Sequence, residues 1–178
     1  MEEYVEEICI VEDKEIAIDE IMRVYGQDVL HLVYSYVKDP SIAEDLTQEI
    51  FVKCYKNLHT YKRNSKLKTW VWRIAINHCK DYLKSWYKRK VIPAEEQINI
   101  VSSNEDVEEF LIQQEADGEL VDAVMGLPLK YREVIYLFYF EEMPMKEISG
   151  VTGQKINTVK TRLRKAKEQL RAKLGGEL

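Results

Sequence analysis

The sequence predicts an all-α protein made of two small helical domains joined by a linker. Gly and Pro are scarce, with 7 and 4 among 178 residues, which favours helices over a turn-rich β fold. Apolar residues recur at steps of three and four over several long segments, which is the spacing of an amphipathic helix. Between residues 91 and 117 this pattern is interrupted by Pro93, a Ser-Ser-Asn cluster and several acids, a composition typical of a linker.

The first domain is predicted to contain three helices. The first helix begins near Asp19 and ends before Pro40, because proline disfavours helical backbone in the residue that precedes it. Ser41 can cap the second helix, and the third covers about residues 70–88, after a polar, basic loop at 60–68. The predicted segments are therefore an acidic N-terminal extension at 1–18, a first domain at 19–90, a linker at 91–117 and a second domain at 118–178.

The second domain is predicted to end in a helix-turn-helix. A helix through Tyr131 and Tyr139 is followed by a short helix that Pro144 opens, a turn that contains Gly153, and a longer basic helix at about 158–174. This order of short helix, glycine turn and longer helix defines the motif. In the last helix a buried stripe is predicted at steps of four, three and four residues: Val159, Leu163, Ala166 and Leu170.

Charge alternates along the chain in a way that the overall net charge of −5 conceals. The net charges of residues 1–50, 51–100, 101–150 and 151–178 are −11, +9, −9 and +6. A basic block is a candidate surface for the phosphates of nucleic acid. The acidic blocks suit a protein partner instead, since they would repel DNA.

The sequence lacks the residue patterns that metal sites, catalytic triads and phosphate-binding loops require. The three Cys residues are an odd number without a C-x-x-C pair, and we expect them to be reduced and mostly buried. The three His residues show no spacing of a metal site or catalytic triad, and no glycine-rich phosphate loop occurs. We expect no catalytic residue, metal, cofactor or small-molecule substrate. Without a long apolar run or a basic leader, a cytoplasmic location is expected. The three cysteines are Cys9, Cys54 and Cys79, and the three histidines are His31, His59 and His78.

The last helix offers cationic residues for a DNA groove. A helix-turn-helix places its second helix in the major groove and reads bases with that helix's N-terminal residues. Lys160, Thr161 and Arg164 lie early and off the buried stripe, so we predict that they contact base edges. Arg162 and Lys165 are predicted to hold phosphates. The alternative is a solvated basic face.

The third helix of the first domain has an apolar side and a cationic side. The predicted apolar side comprises Val71, Ala75, Cys79, Tyr82 and Trp86. The opposite side comprises Arg73, Asn77, Lys80, Lys84 and Lys88. Trp70 falls on the cationic side and has two interpretations: it stacks on unpaired bases, or it packs back on the loop at 61–68. Trp72 and Trp86 are predicted in the core.

The second helix carries an acidic, polar side. Asp45, Gln48 and Glu49 share this side at helical spacing. Spacing alone leaves two interpretations equal, a solvated face and a face that docks a protein.

Four successive segments resemble the signatures of extracytoplasmic-function (ECF) sigma factors of the sigma-70 family. They are Ala43–Phe51 (Ala-Glu-Asp-Leu-Thr-Gln-Glu-Ile-Phe), Lys68–Asn77 (Lys-Thr-Trp-Val-Trp-Arg-Ile-Ala-Ile-Asn), Leu127–Val134 (Leu-Pro-Leu-Lys-Tyr-Arg-Glu-Val) and Asn157–Leu163 (Asn-Thr-Val-Lys-Thr-Arg-Leu). Their order matches over roughly residues 20–175. Such a match implies a sigma region 2 helical bundle and a sigma region 4 helix-turn-helix.

The resemblance also implies partners and residue roles. The first domain would dock on the β′ clamp helices of core RNA polymerase through Asp45, Gln48, Glu49 and Val52. The −10 promoter element would be opened and read by Arg63, Asn64, Ser65, Lys66, Lys68, Trp70, Arg73, Asn77, Lys80, Asp81 and Lys84. The −35 element would be read by Asn157, Thr158, Lys160, Thr161, Arg162, Arg164 and Lys165. The linker would thread the polymerase toward the RNA exit path, the β subunit would be a further contact, and a membrane-anchored anti-sigma factor would hold the free protein.

Four residues of the helix-turn-helix depart from the pattern of these sigma factors. Asn157 stands where the family usually has Gly, Ser149 replaces the usual small Ala, and Gln154 and Lys155 replace residues that are commonly apolar, Pro or Ser. These departures bear on which −35 sequence is read.

Two other functions are compatible with parts of the sequence. A stand-alone helix-turn-helix regulator would account for residues 118–178 but would leave the basic block at 60–90 without a role, and it would bind DNA without polymerase. An enzyme would show turnover in the purified protein, but no catalytic spacing supports it.

Overall fold

The computed structural model describes residues 13–90 and 118–175, which divide into two compact units. Within these ranges every regular element is a helix and no strand occurs, so the predicted all-α class with two helical domains is confirmed. The predicted linker at 91–117 and most of the predicted N-terminal extension lie outside the described residues. None of the described helices combines the length and hydropathy that crossing a membrane requires.

Over residues 13–90 the first unit is formed by three long helices. They are α1 (Lys14–Val37), α2 (Pro40–Asn57) and α3 (Leu67–Lys90), with a 3₁₀ turn at Leu58–Thr60 after α2. Helix α1 begins five residues before the predicted start at Asp19. The carboxylate of Asp13 accepts a hydrogen bond from the backbone N–H of Glu15 at 3.0 Å, and Ala17 is buried, so the apolar stripe extends one turn toward the N-terminus.

The core of the first unit is built by the inward stripes of its helices. Tyr25 of α1 meets the fully buried Trp72 of α3 edge to face, with ring centroids 5.7 Å apart. Cys54 and Cys79 are free thiols buried in this core, as the sequence predicted. Burial raises the pKa of the Cys54 thiol from 9.0 to about 12, because an apolar environment disfavours the thiolate.

The prediction that Trp86 belongs to the core is wrong. Its side chain is half-buried and packs edge to face on Tyr87, whose exposed fraction is 60%. Tyr82, predicted on the same apolar side, is also half-buried. Helical periodicity sets which side of α3 faces inward, but it does not set how far along α3 the core extends.

Within residues 118–175 the second unit contains four helices and a π-helical turn. These are α4 (Gly118–Met125), α5 (Leu129–Ile135), the π turn (Tyr136–Phe140), α6 (Met145–Thr152) and α7 (Ile156–Lys173). The predicted continuous helix through Tyr139 therefore changes its winding after Ile135, where Tyr136 and Phe140 stack with centroids 5.3 Å apart. The buried Arg132 ties α4 to α5, since its Nη1 donates to the carbonyl oxygens of Met125 and Leu127, each at 2.9 Å.

The predicted stripe of the last helix is confirmed. Val159, Leu163, Ala166 and Leu170 are all buried, with exposed fractions of 5% or less. Helix α7 starts at Ile156, two residues before the predicted start, and packs on α5 and α6. Burying large apolar side chains stabilises by about 1.5–3 kcal/mol each, so this stripe fixes which side of α7 remains for solvent or a partner.

Candidate DNA interface and polymerase-docking face

The turn between α6 and α7 depends on one glycine. Gly153 ends α6 with φ at +70°, in the left-handed region that side chains with a Cβ rarely adopt. Lys155 follows with extended backbone and α7 begins at Ile156. The structure thus confirms the predicted order of short helix, glycine turn and longer helix.

The solvent side of α7 carries most of the predicted −35 residues. Five are exposed: Asn157, Lys160, Thr161, Arg164 and Lys165. Arg164 pairs with Glu168 at 2.9 Å, and both side chains are more than half exposed. Such exposed pairs contribute little to stability, so a phosphate or base edge can replace Glu168 at small cost. The hydroxyl of Thr161 donates to the carbonyl of Asn157 at 2.9 Å, which leaves its oxygen lone pairs to accept.

Two predicted −35 residues are less accessible. Thr158 and Arg162 are half-buried, and Arg162 Nη1 lies 3.9 Å from Oε2 of Glu133, a carboxylate only 3% exposed. The same oxygen accepts a hydrogen bond from Gln154 Nε2 at 2.5 Å. This contact was not predicted, since no local spacing links α5 to the turn before α7.

Two further residues near this surface were not predicted. Ile156 is 40% exposed because it is the first residue of α7 and no preceding turn covers it. Lys167 extends over the π turn, with its Nζ 5.2 Å from the Tyr139 ring centroid and 5.9 Å from that of Phe138. This cation therefore braces α7 on the aromatic turn.

The basic loop of the first unit is ordered by its own contacts. The Tyr61 hydroxyl donates to the carbonyl of Ser65 at 3.1 Å, and Arg63 adopts a left-handed backbone with φ at 55°. A residue other than glycine in this conformation costs about 1 kcal/mol or more, so the loop's contacts must hold it there. As a result, cationic and polar side chains project from a defined loop.

The predicted −10 residues differ in accessibility. Seven are exposed: Arg63, Asn64, Lys66, Arg73, Asn77, Asp81 and Lys84. Ser65, Lys68 and Lys80 are half-buried. Trp70 is only 8% exposed and packs on Tyr61 with ring centroids 5.7 Å apart. Of its two interpretations, this contact favours packing on the loop over stacking on bases.

A continuous exposed face lies along α2. Asp45, Gln48, Glu49 and Val52 are all exposed, and steps of three, one and three residues keep them on one side of the helix. Val52 is 51% exposed, and Tyr55, which was not predicted, extends the face at 38%. We call these five residues the α2 face; Val52 and Tyr55 give it exposed apolar area, and its carboxylates would repel DNA.

A buried histidine connects the α2 face to α3. His78 Nε2 lies 2.7 Å from Oε2 of Glu49, and Lys53 Nζ lies 2.7 Å from His78 Nδ1. Because a lysine ammonium can only donate, these distances fit Nδ1 as the acceptor from Lys53 and Nε2 as the donor to Glu49. Neighbouring Asn77, a predicted −10 residue, is therefore on a part of α3 that two hydrogen bonds fix to α2.

Comparison with known proteins identifies both units. Residues 21–89 match Sigma-70 region 2, and residues 117–170 match Sigma-70 region 4. The chain is 34% identical over 155 residues to the ECF RNA polymerase sigma factor SigM of Bacillus subtilis, covering 87% of this chain and 93% of that protein. It is 32% identical over 153 residues to the RNA polymerase sigma factor SigV of the same organism, covering 86% and 88%. The chain belongs to the ECF sigma factors.

Solved structures share the fold of this sigma factor at low identity. The sigma factor RpoE, crystallised with the anti-sigma factor NepR from Bartonella quintana, matches with a TM-score of 0.71 and 18% identity, over 90% of this chain and 98% of that one. CnrH in complex with the cytosolic domain of CnrY matches with a TM-score of 0.67 and 17% identity, over 99% and 98%.

The predicted membership and fold are therefore confirmed, and the chain is a promoter-directing sigma factor. The region 2 match includes the α2 face, the basic loop and α3, and the region 4 match includes the helix-turn-helix. A stand-alone helix-turn-helix regulator is not favoured, because it would not require a domain that matches Sigma-70 region 2. The family consists of transcription initiation factors.

Proposed function

We propose that three surfaces of this sigma factor divide promoter recognition between them. The α2 face docks on the β′ clamp helices of core polymerase, the basic loop with α3 opens and reads the −10 element, and α7 reads the −35 element. The observation that carries this assignment is that each unit displays its own exposed cationic surface, while the α2 face is acidic and apolar. An acidic face repels DNA, whereas exposed lysines and arginines attract it.

At the −35 element, Lys160, Thr161 and Arg164 contact base edges and Lys165 contacts phosphate. The first three turns of α7 hold these side chains off the buried stripe. A helix in this orientation presents arginine and lysine to guanine O6 and N7 in the major groove. Asn157 and Thr158 lie at the helix start, where backbone N–H groups favour phosphate.

At the −10 element, the exposed loop residues and one side of α3 hold the unpaired strand. Arg63, Asn64 and Lys66 extend from the loop, and Arg73, Asn77 and Lys84 follow along α3. Trp70 acts below this surface by supporting Tyr61 and the loop. The unpaired DNA strand is bordered by Lys68, Lys80 and Asp81. The carbonyl of Ser65 accepts the hydrogen bond that holds the Tyr61 side chain.

The remaining partners follow from the same assignment. Core polymerase contacts include the β subunit, with the linker at 91–117 running toward the RNA exit path. The two similar solved structures are complexes of their sigma factors with other proteins, one of them named as an anti-sigma factor. A membrane-anchored anti-sigma factor would cover the two cationic surfaces of this chain. A protein that makes these proposed contacts acts in the cytoplasm.

The test is capture of bacterial core polymerase by the full chain, followed by run-off transcription from a genomic promoter pool. Core binding with new, discrete start sites is the expected result and would also reveal the promoter. Absence of core binding with retained binding to duplex DNA would overturn the proposal in favour of a stand-alone regulator.

A further inference from the structure

The turn of the helix-turn-helix holds a polar residue that competes for a buried charge. Gln154 Nε2 donates to Oε2 of Glu133 at 2.5 Å, and the guanidinium of Arg162 approaches the same oxygen only to 3.9 Å. A strong bond between arginine and a carboxylate has an N···O distance of about 2.7–2.9 Å. Gln154 is therefore the nearer of two donors that face this oxygen, and Arg162 stays beyond the distance of a direct hydrogen bond.

The backbone of the turn fixes the direction of the Gln154 side chain. The hydroxyl of Ser149 donates to the Gln154 carbonyl at 2.6 Å, which anchors the residue immediately after Gly153. An alanine at 149 could not make this bond. Ser149 and Gln154 therefore act together in this turn.

Gln154 is held there at an energetic cost. Its Oε1 is buried without a hydrogen-bond partner in residues 13–90 and 118–175. The amide cannot be turned over, because Oε1 would then face the Glu133 carboxylate at 2.5 Å and repel it. A buried polar atom without a partner costs about 1–3 kcal/mol, so an apolar residue of similar size would be compatible with the fold.

Arg162 is thus left loosely paired. Its side chain is 30% exposed, and among the described residues none of the hydrogen bonds involves its guanidinium. It lies on α7 between Thr161 and Leu163, at the border of the exposed side. A guanidinium at this border can turn outward to a phosphate if the buried carboxylate does not hold it.

We propose that Gln154 is a positioning residue that keeps Arg162 available for a phosphate of the −35 element by engaging Glu133 in its place. The inference rests on the proposed role of α7 at the −35 element and adds a determinant that lies outside the recognition helix. With an apolar residue at 154, Arg162 closes on Glu133 and withdraws from DNA.

The first test concerns the free protein and does not depend on DNA. In a crystal structure of the full-length Gln154→Leu variant, the distance from Arg162 to Glu133 is expected to shorten from 3.9 Å to about 2.9 Å. An unchanged distance would overturn the inference. Gln169→Leu, a matched change on α7 away from Glu133, should leave the distance at its original value.

The second test measures phosphate contacts of the polymerase holoenzyme on a promoter recovered from the run-off selection. Phosphate-ethylation interference with the wild-type chain is expected to show one −35 position that is lost in both Gln154→Leu and Arg162→Gln. The magnitude of the slope of log K against log salt should fall by about 0.9 in each variant. In the double variant the magnitude of the slope should fall no further, because both changes remove the same phosphate contact.

The outcomes separate the inference from the proposed function. If Arg162→Gln loses the contact and Gln154→Leu keeps it, Gln154 does not control Arg162 and the inference fails alone. An Arg162→Gln variant with every contact retained also overturns it, since Arg162 then holds no phosphate. If the wild-type holoenzyme shows no −35 contact at all, the proposed function of α7 fails.

Discussion

The two units fasten their functional helices with polar links of opposite character. In the first unit, His78 joins α3 to α2 through Glu49 and Lys53, and Glu49 is 62% exposed at its side chain. In the second unit, Glu133 joins α5 to the turn and to α7, and it is 3% exposed. When the first link breaks, water can solvate the exposed carboxylate of Glu49. Water cannot reach the buried carboxylate of Glu133 in the same way. Hydrogen bonds of similar length can therefore contribute unequally to the free energy of unfolding, depending on the burial of the charged partner.

The two units can be followed separately in one sample. All three tryptophans, Trp70, Trp72 and Trp86, lie in the first unit. Tryptophan fluorescence therefore reports unfolding of the first unit, and far-UV circular dichroism reports both. Variants in either unit can be compared within the full chain on this basis.

The largest expected effect comes from reversing charge on α7. The double variant Lys160→Glu with Arg164→Glu should abolish −35-dependent initiation, because each lost base contact costs about 1–3 kcal/mol and the new charges repel phosphate. Core binding should remain intact, since the α2 face is unchanged. Run-off transcription and core capture measure the two properties. Simultaneous loss of both would show that the division of labour is wrong.

Next in size is the loss of the buried carboxylate. Glu133→Ala should lower the free energy of unfolding of the second unit by about 2 kcal/mol, because it removes the acceptor of the half-buried Gln154 amide and the charge that faces Arg162. Chemical denaturation followed by circular dichroism should shift while the fluorescence transition stays. Glu133→Gln is the control that retains an acceptor oxygen and should cost less. An equal shift of the fluorescence transition would mean that the two units unfold together.

A smaller effect is expected at the surface link. His78→Phe should lower the free energy of unfolding of the first unit by about 1 kcal/mol, since its partners can turn to water. The fluorescence transition measures this change. Glu49→Gln keeps an acceptor for His78 Nε2 and should change it less. A loss as large as that of Glu133→Ala would remove the contrast between the two links.

At neutral pH the smallest effect is expected from Cys54, whose contribution to stability changes only at high pH. Folding raises the Cys54 pKa from 9.0 to about 12, so this thiol stabilises the folded first unit fully below pH 9 and loses that contribution as pH rises toward 12. Fluorescence-detected denaturation at a series of pH values should show a shallower decline for Cys54→Val than for the wild type. Identical declines would indicate that the thiol is not desolvated as described.

Sequence patterns over a few residues predicted the features that depend on local backbone geometry. The buried stripe from Val159 to Leu170 and the turn at Gly153 were predicted because helical spacing and glycine's conformational freedom act within a few residues. The exposed face through Asp45 and Glu49 could be predicted for the same reason, but its use for docking came from the resemblance.

Contacts between distant segments could not be predicted in this way. The engagement of Glu133 by Gln154 spans 21 residues and has no periodic signal. The packing of Trp70 depends on the loop that brings Tyr61 over it, which left two interpretations open. The π turn escaped prediction because its aromatic residues also fit α-helical spacing.

The central claim is that the two units contact separate promoter elements. Hydroxyl-radical footprinting of the holoenzyme on its selected promoter tests it directly, with the wild type, the Lys160→Glu/Arg164→Glu variant and an Arg73→Glu/Lys84→Glu variant. The first variant is expected to lose only −35 protection, and the second is expected to lose only protection around the −10 element. Loss of both protections in either variant would contradict it.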